Sequence, residues 1–175
     1  MIIEDKNFLS ARSKKFIEST ILSNNFPLYH SNYAVDANDA IENLTHVILR
    51  RQEDRSVNEP MHPLYHNFVK ILDEFCDKHK ISYREVLRIC INFSYPSGSR
   101  KSAVHVDHEY KHDQLLIYLN DPKDKTSSTV LLDDKHKKVR EVFPEKYKGI
   151  FFPKMPHYVN LPKKGGRFIV VFTLR

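Results

Sequence analysis

SAVHVDHEYKHDQLLIYLN, residues 102–120, joins a histidine-rich polar step to an apolar run, Leu115–Leu119, that ends at Asn120. A short β-prone run bounded by polar residues reads as a strand. The step before it, His105-Val106-Asp107, sets an imidazole and a carboxylate two residues apart. In extended chain, residues i and i+2 point the same way, so such a step at a strand end can offer both groups to one metal ion.

Outward from this segment the sequence divides in two. From Tyr83 onward, short β-rich runs alternate with turn residues: VLRICINFSY with the loop Pro96-Ser97-Gly98-Ser99, then SAVHV, QLLIYLN, STVLL, KVREVF, GIFFP, HYVNL and RFIVVFTL. That number of strands suits two antiparallel sheets in a jelly roll. Before Tyr83 the apolar spacing is helical. Phe8, Leu9, Phe16, Ile17, Ile21 and Leu22 predict one helix with Ser10 as its cap. Ile41, Leu44, Val47 and Ile48 predict a second over 39–50, and Leu64, Phe68, Ile71, Leu72 and Phe75 a third after Pro63. The expectation is an α+β fold, a double-stranded β-helix (jelly roll) with N-terminal helices packed on one sheet. One domain spans 1–175, with 1–82 as mainly helical support and 83–175 as the jelly-roll core.

The composition is that of an ordinary globular chain, with 41% hydrophobic and 29% charged residues and no repeat or low-complexity tract. No apolar stretch reaches the roughly 18 residues of a membrane span. The opening MIIEDKNFLSARSKKF lacks the basic-then-apolar order of a signal peptide, so a cytoplasmic location is expected. Cys76 and Cys90 suggest neither a disulfide scaffold nor a cysteine zinc site. The net charge of +6 is spread over pairs such as Lys14-Lys15, Lys137-Lys138 and Lys163-Lys164, which fits solvated surface better than a nucleic-acid face.

A His-x-acid step alone carries little. Ten histidines and 22 acids in 175 residues give about 1.3 such steps by chance. Two partners far downstream raise its value. His157 lies 52 residues on, in FFPKMPHYVNL between strand-like runs, and two histidines with a carboxylate make a three-point metal site that leaves other positions open. Arg167 opens the last strand ten residues later. Its guanidinium keeps its charge and can grip a carboxylate with two parallel hydrogen bonds.

H-x-D, about fifty residues, His, and then Arg ten further on resembles the 2-oxoglutarate and iron(II)-dependent dioxygenases, in their prolyl-hydroxylase-like branch. The likeness covers roughly the last 90 residues and includes LLIYLN and FFPKMPHYV. It implies iron(II) on His105, Asp107 and His157, 2-oxoglutarate held by Arg167, and oxygen as oxidant. The implied reaction hydroxylates a C–H bond of a peptide or small molecule, releasing succinate and carbon dioxide. Tyr95 and Tyr118 sit where related enzymes place tyrosines that bond the co-substrate. One departure stands out: Thr126-Ser127-Ser128-Thr129-Val130 replaces the family's Gly-Gly-x-Thr-like segment. The second arginine of the family's nucleic-acid-directed members has no counterpart in RFIVVFTLR. Arg100 and Lys101, just before the metal step, could line the entrance and favour an acidic substrate.

Three other readings compete. His108-Glu109-Tyr110-Lys111-His112 matches H-E-x-x-H, which on a helix is a zinc hydrolase site, with Glu141 as an available third ligand. His136 with Lys146 repeats the His and cation spacing in a polar, turn-like setting. A catalytically silent jelly roll would keep the same histidines for local hydrogen bonds.

Overall fold

Leucine, isoleucine and phenylalanine at alternate positions of three neighbouring strands build the core. The computed structural model describes residues 1–32, 41–56, 61–122 and 125–175. The elements run β1 (Ile3–Asp5), α1 (Ala11–Phe16) continuing as a π-helical turn (Ile17–Ile21), β2 (Tyr29–Ser31), β3 (Asn43–Leu49), a 3-10 turn (Gln52–Asp54) and α2 (Tyr65–His79). The strands β4 (Val86–Ser94), β5 (Asp113–Tyr118), β6 (Ser128–Leu132), β7 (Lys138–Val142), β8 (Gly149–Pro153), β9 (His157–Asn160) and β10 (Arg167–Leu174) follow. A seven-stranded antiparallel sheet, in the order β1-β8-β5-β10-β4-β3-β2, faces a three-stranded one, β7-β6-β9. This is the expected jelly roll. No helix among the described residues is long and apolar enough to cross a membrane.

The parity of β4 and β10 separates two cores. Ile89, Ile91, Val170, Phe172 and Leu174 face α2, where Phe68, Ile71, Leu72 and Phe75 are buried against them. Their alternates Ile169 and Val171 face the small sheet and pack with Leu116, Tyr118, Leu131 and Ile150. Ser10 caps α1 as expected, its hydroxyl accepting from the Ser13 amide at 3.2 Å. Glu74 on α2 accepts from the Ser10 amide and both serine hydroxyls, tying the two helices together. Lys80 ends α2 in the left-handed region at φ 56°, letting the Ile81 amide bond Cys76 O.

Two sequence expectations are corrected. The helix predicted over 39–50 is instead β3, paired with β4 from Leu44↔Phe93 to Leu49↔Ile89; its first two residues lie outside the described ones. A register shift between Val47 and Leu49 breaks the period of two, and that is why the apolar spacing imitates a helix. With β1 and β2 also present, strands share the first eighty residues with helices. SAVHV is not a regular strand. It and the preceding Lys101 are held to β9 by two isolated bridges, Lys101↔Asn160 and His105↔His157.

Candidate metal and co-substrate site

The bridge between His105 and His157 brings together residues 52 apart in sequence. Each backbone amide donates to the other's carbonyl, at 3.0 and 2.9 Å, and the two rings lie with centroids 4.3 Å apart. Both rings are oriented alike: Nδ1–H of His105 donates to Ala103 O at 3.2 Å, and that of His157 to Met155 O at 3.1 Å. Fixing the proton on Nδ1 leaves each Nε2 lone pair free as a ligand. Asp107 completes the set, its Oδ1 3.8 Å from His105 Nε2. One donor atom from each of the three lies within 4.8 Å of the other two, a cluster that fits a single ion.

The electrostatics suit a cation. Asp107 is buried and its Oδ2 has no hydrogen-bond partner among the described residues. Burial alone would raise its carboxyl, yet His157, Arg88 and His105 around it hold it down at about 2. His157 is pushed down to about 4, first by burial and then by His105, so it is neutral and able to coordinate at physiological pH. Two imidazoles and one carboxylate, with its Oδ2 left without a partner, form a donor set that fits a divalent transition metal.

The cluster opens on a cavity of about 540 Å³ between the sheets, and Arg167 lies in its wall. Arg167 is 1% exposed. Its Nη2 donates to Thr129 Oγ1 at 2.7 Å, while its Nε has no partner among the described residues. No carboxylate pairs with it among the described residues. A buried guanidinium without a counter-charge is costly, and it is the environment a bound carboxylate would complete. Tyr118 stands behind it, its ring centroid 5.3 Å from the guanidinium carbon and its hydroxyl donating to the same Thr129 oxygen at 2.7 Å. Tyr118 therefore braces the arginine and Thr129 instead of forming the wall. Thr129 belongs to the segment that departs from the Gly-Gly-x-Thr-like pattern, and it supplies the hydroxyl that steadies Arg167.

Tyr95 is corrected. Its hydroxyl donates to Glu42 at 3.2 Å, and it does not line the cavity. Arg100 and Lys101 are exposed and likewise outside the wall. The H-E-x-x-H residues form a loop, with Glu109 exposed, His108 bonded to Thr173 at 2.7 Å and His112 bonded to Tyr110 O at 2.9 Å. That arrangement cannot present two imidazoles from one helix face. His136 is exposed in a turn, and Lys146 pairs with Glu18.

Sequence reasoning missed Arg51, Arg88, Asn43 and Asn92, all of which line the cavity. A signal existed: Arg88, Asn92 and Ser94 punctuate VLRICINFS at even spacing, marking one face of β4 as polar.

No protein-family model and no curated protein sequence matches the chain. Solved structures do. An oxidoreductase of the 2OG-Fe(II) oxygenase family from Burkholderia pseudomallei aligns over 99% of this chain and 84% of its own, with a TM-score of 0.75 and 16% identity. A Trichoplax adhaerens prolyl hydroxylase, solved with a hypoxia inducible factor peptide, covers 99% and 82% with a TM-score of 0.69 and 16% identity. A Pseudomonas putida prolyl-4-hydroxylase covers 99% and 92% with a TM-score of 0.63 and 12% identity. These likenesses define the fold as the double-stranded β-helix shared with 2-oxoglutarate and iron(II) oxygenases.

Proposed function

We propose that this chain is an iron(II)- and 2-oxoglutarate-dependent dioxygenase that hydroxylates a C–H bond of a peptide or small molecule. The observation that carries the reading is a single cavity holding both the His105, Asp107 and His157 cluster and the buried, uncompensated guanidinium of Arg167. Each half alone has other uses. Together they match a keto-diacid chelated at one end by a metal and gripped at the other by an arginine.

In this reading His105, Asp107 and His157 hold the iron through two Nε2 atoms and a carboxylate oxygen. The metal with 2-oxoglutarate and oxygen supplies the oxidation, with release of succinate and carbon dioxide. Arg167 fixes the far carboxylate, Thr129 fixes Arg167, and the walls Leu116, Ile169 and Val171 limit water around the reacting groups. The Trichoplax prolyl hydroxylase is in complex with a peptide fragment, which supports a peptide as one of the two substrate classes.

Anaerobic titration with iron(II) and then 2-oxoglutarate tests the reading. The expected result is a weak visible absorption band that needs both additions, followed by succinate when oxygen is admitted. Tight metal binding with neither band nor succinate would refute it in favour of a silent jelly roll.

A further inference from the structure

The cavity has two cationic ends, and the proposed function uses only one. On the β4 and β10 pair, Arg167 lies opposite Ser94 and Arg88 lies opposite Thr173. Six residue steps along the strands separate the arginine backbones by about 20 Å. Both side chains face the same cavity. Arg88 reaches the metal end, where its Nη1 is 3.9 Å from Asp107 Oδ1, at the limit of an ion pair and beyond a hydrogen bond. That oxygen also lies 3.8 Å from His105 Nε2, within the metal cluster, so a bound metal takes its charge. Arg88 is then left with Asp54 as the other carboxylate acting on it. Its side chain is 20% exposed, and the guanidinium opens into the cavity.

Arg51 lines the same end and makes no ion pair among the described residues. Asp54 is the remaining carboxylate in the wall there. Among the lining residues Arg51 and Arg88 against Asp54 leave one positive charge, while Glu53 acts on Arg51 from outside the wall. The Arg167 end is balanced separately: a divalent ion and Arg167 offset Asp107 and a doubly charged keto-acid. Between the ends the wall carries Asn92 and Thr45, which are uncharged. A second anion is thus accommodated beside the metal, apart from the co-substrate.

We infer that the molecule oxidised by this enzyme carries an anionic group, carboxylate or phosphate, which Arg88 and Arg51 hold at the metal end of the cavity. This rests on the proposed function. Arg88 and Arg51 are then specificity-determining residues, and a neutral analogue of the substrate is discriminated against by about tenfold or more, the effect expected of a charge-assisted hydrogen bond.

The test uses the protein loaded anaerobically with iron(II) and 2-oxoglutarate, whose absorption band reports on the proposed function independently. Acetate and inorganic phosphate are then titrated in separate calorimetric experiments at fixed ionic strength. Saturable binding of either is expected, weakened about tenfold or more in Arg88→Gln and in Arg51→Gln and largely restored in Arg88→Lys, with the band unchanged. Stronger binding of acetate assigns a carboxylate to the substrate, and stronger binding of phosphate a phosphate. A loaded protein that binds neither overturns the inference and leaves the proposed function standing. Equal binding by wild type and both glutamine variants places the anion on the metal and also overturns it. Loss of the band in Arg88→Gln makes Arg88 a positioning residue for Asp107, and the inference falls in that case too. No band in the wild type removes the reading on which the inference rests.

Discussion

The two faces of the β4, β10 and β5 ribbon are made by the same strands and serve different ends. Toward α2 the side chains are hydrocarbon and fully covered, Phe172 and Ile89 at 0% exposure among them. Toward the cavity they include Arg88, Asn92, Ser94, Gln114 and Arg167, with an orphaned nitrogen on Arg167. Alternation along a strand lets one face bear stability while its neighbours one residue away carry groups that cost stability.

Substitutions on each face should therefore fail in opposite ways. Phe172→Ala removes a ring from the helix-side core and is expected to cost about 3–5 kcal/mol in urea unfolding. The surviving folded fraction should still bind metal. If it does not, the two faces are coupled and the contrast breaks. Asp107→Asn should lower iron affinity by more than about 100-fold in calorimetry while unfolding stays cooperative. Arg167→Met is expected to weaken 2-oxoglutarate binding about 10–100-fold and to leave the ligand-free protein at least as stable, because an uncompensated buried charge has gone. A clear loss of melting temperature would mean that the Thr129 bond matters more than the charge.

The smallest effect concerns pH. Burial pushes His108 and His157 down to about 4, below their ordinary 6.5. Between those values the unfolded chain binds more protons than the folded one, so stability falls as pH drops from about 6.5 to 4. Melting temperatures of the metal-free protein across that window should decline, and less steeply in His108→Gln. A flat profile would show that water reaches both rings.

The strands after Tyr83 were legible because short apolar runs between turn residues leave few alternatives, and His105, Asp107, His157 and Arg167 because their order is itself a pattern. Failure had local causes. β3 carries a register shift that destroys its alternation, and the segment around His105 is joined by single bridges too sparse to form a regular strand. Tyr95 sits at a plausible spacing but turns toward Glu42, which only the folded loop reveals. Arg88 was hidden by its apolar neighbours, since a strand buried on both faces reads as core until its polar positions are sorted by parity. Thr129 drew notice only as a departure, and its contact with Arg167 depends on two sheets meeting.

His105 and His157 are joined by one reciprocal pair of backbone hydrogen bonds; His157 is also laddered to β6, whereas the segment around His105 is tied to β9 by isolated bridges. The metal would then act as a clasp between the His105 segment and β9. In amide-exchange terms, the backbone protons of these two histidines should open often without metal and slow sharply once it is bound, while those of β10 hardly change. Metal capture and closure of the barrel would be one event.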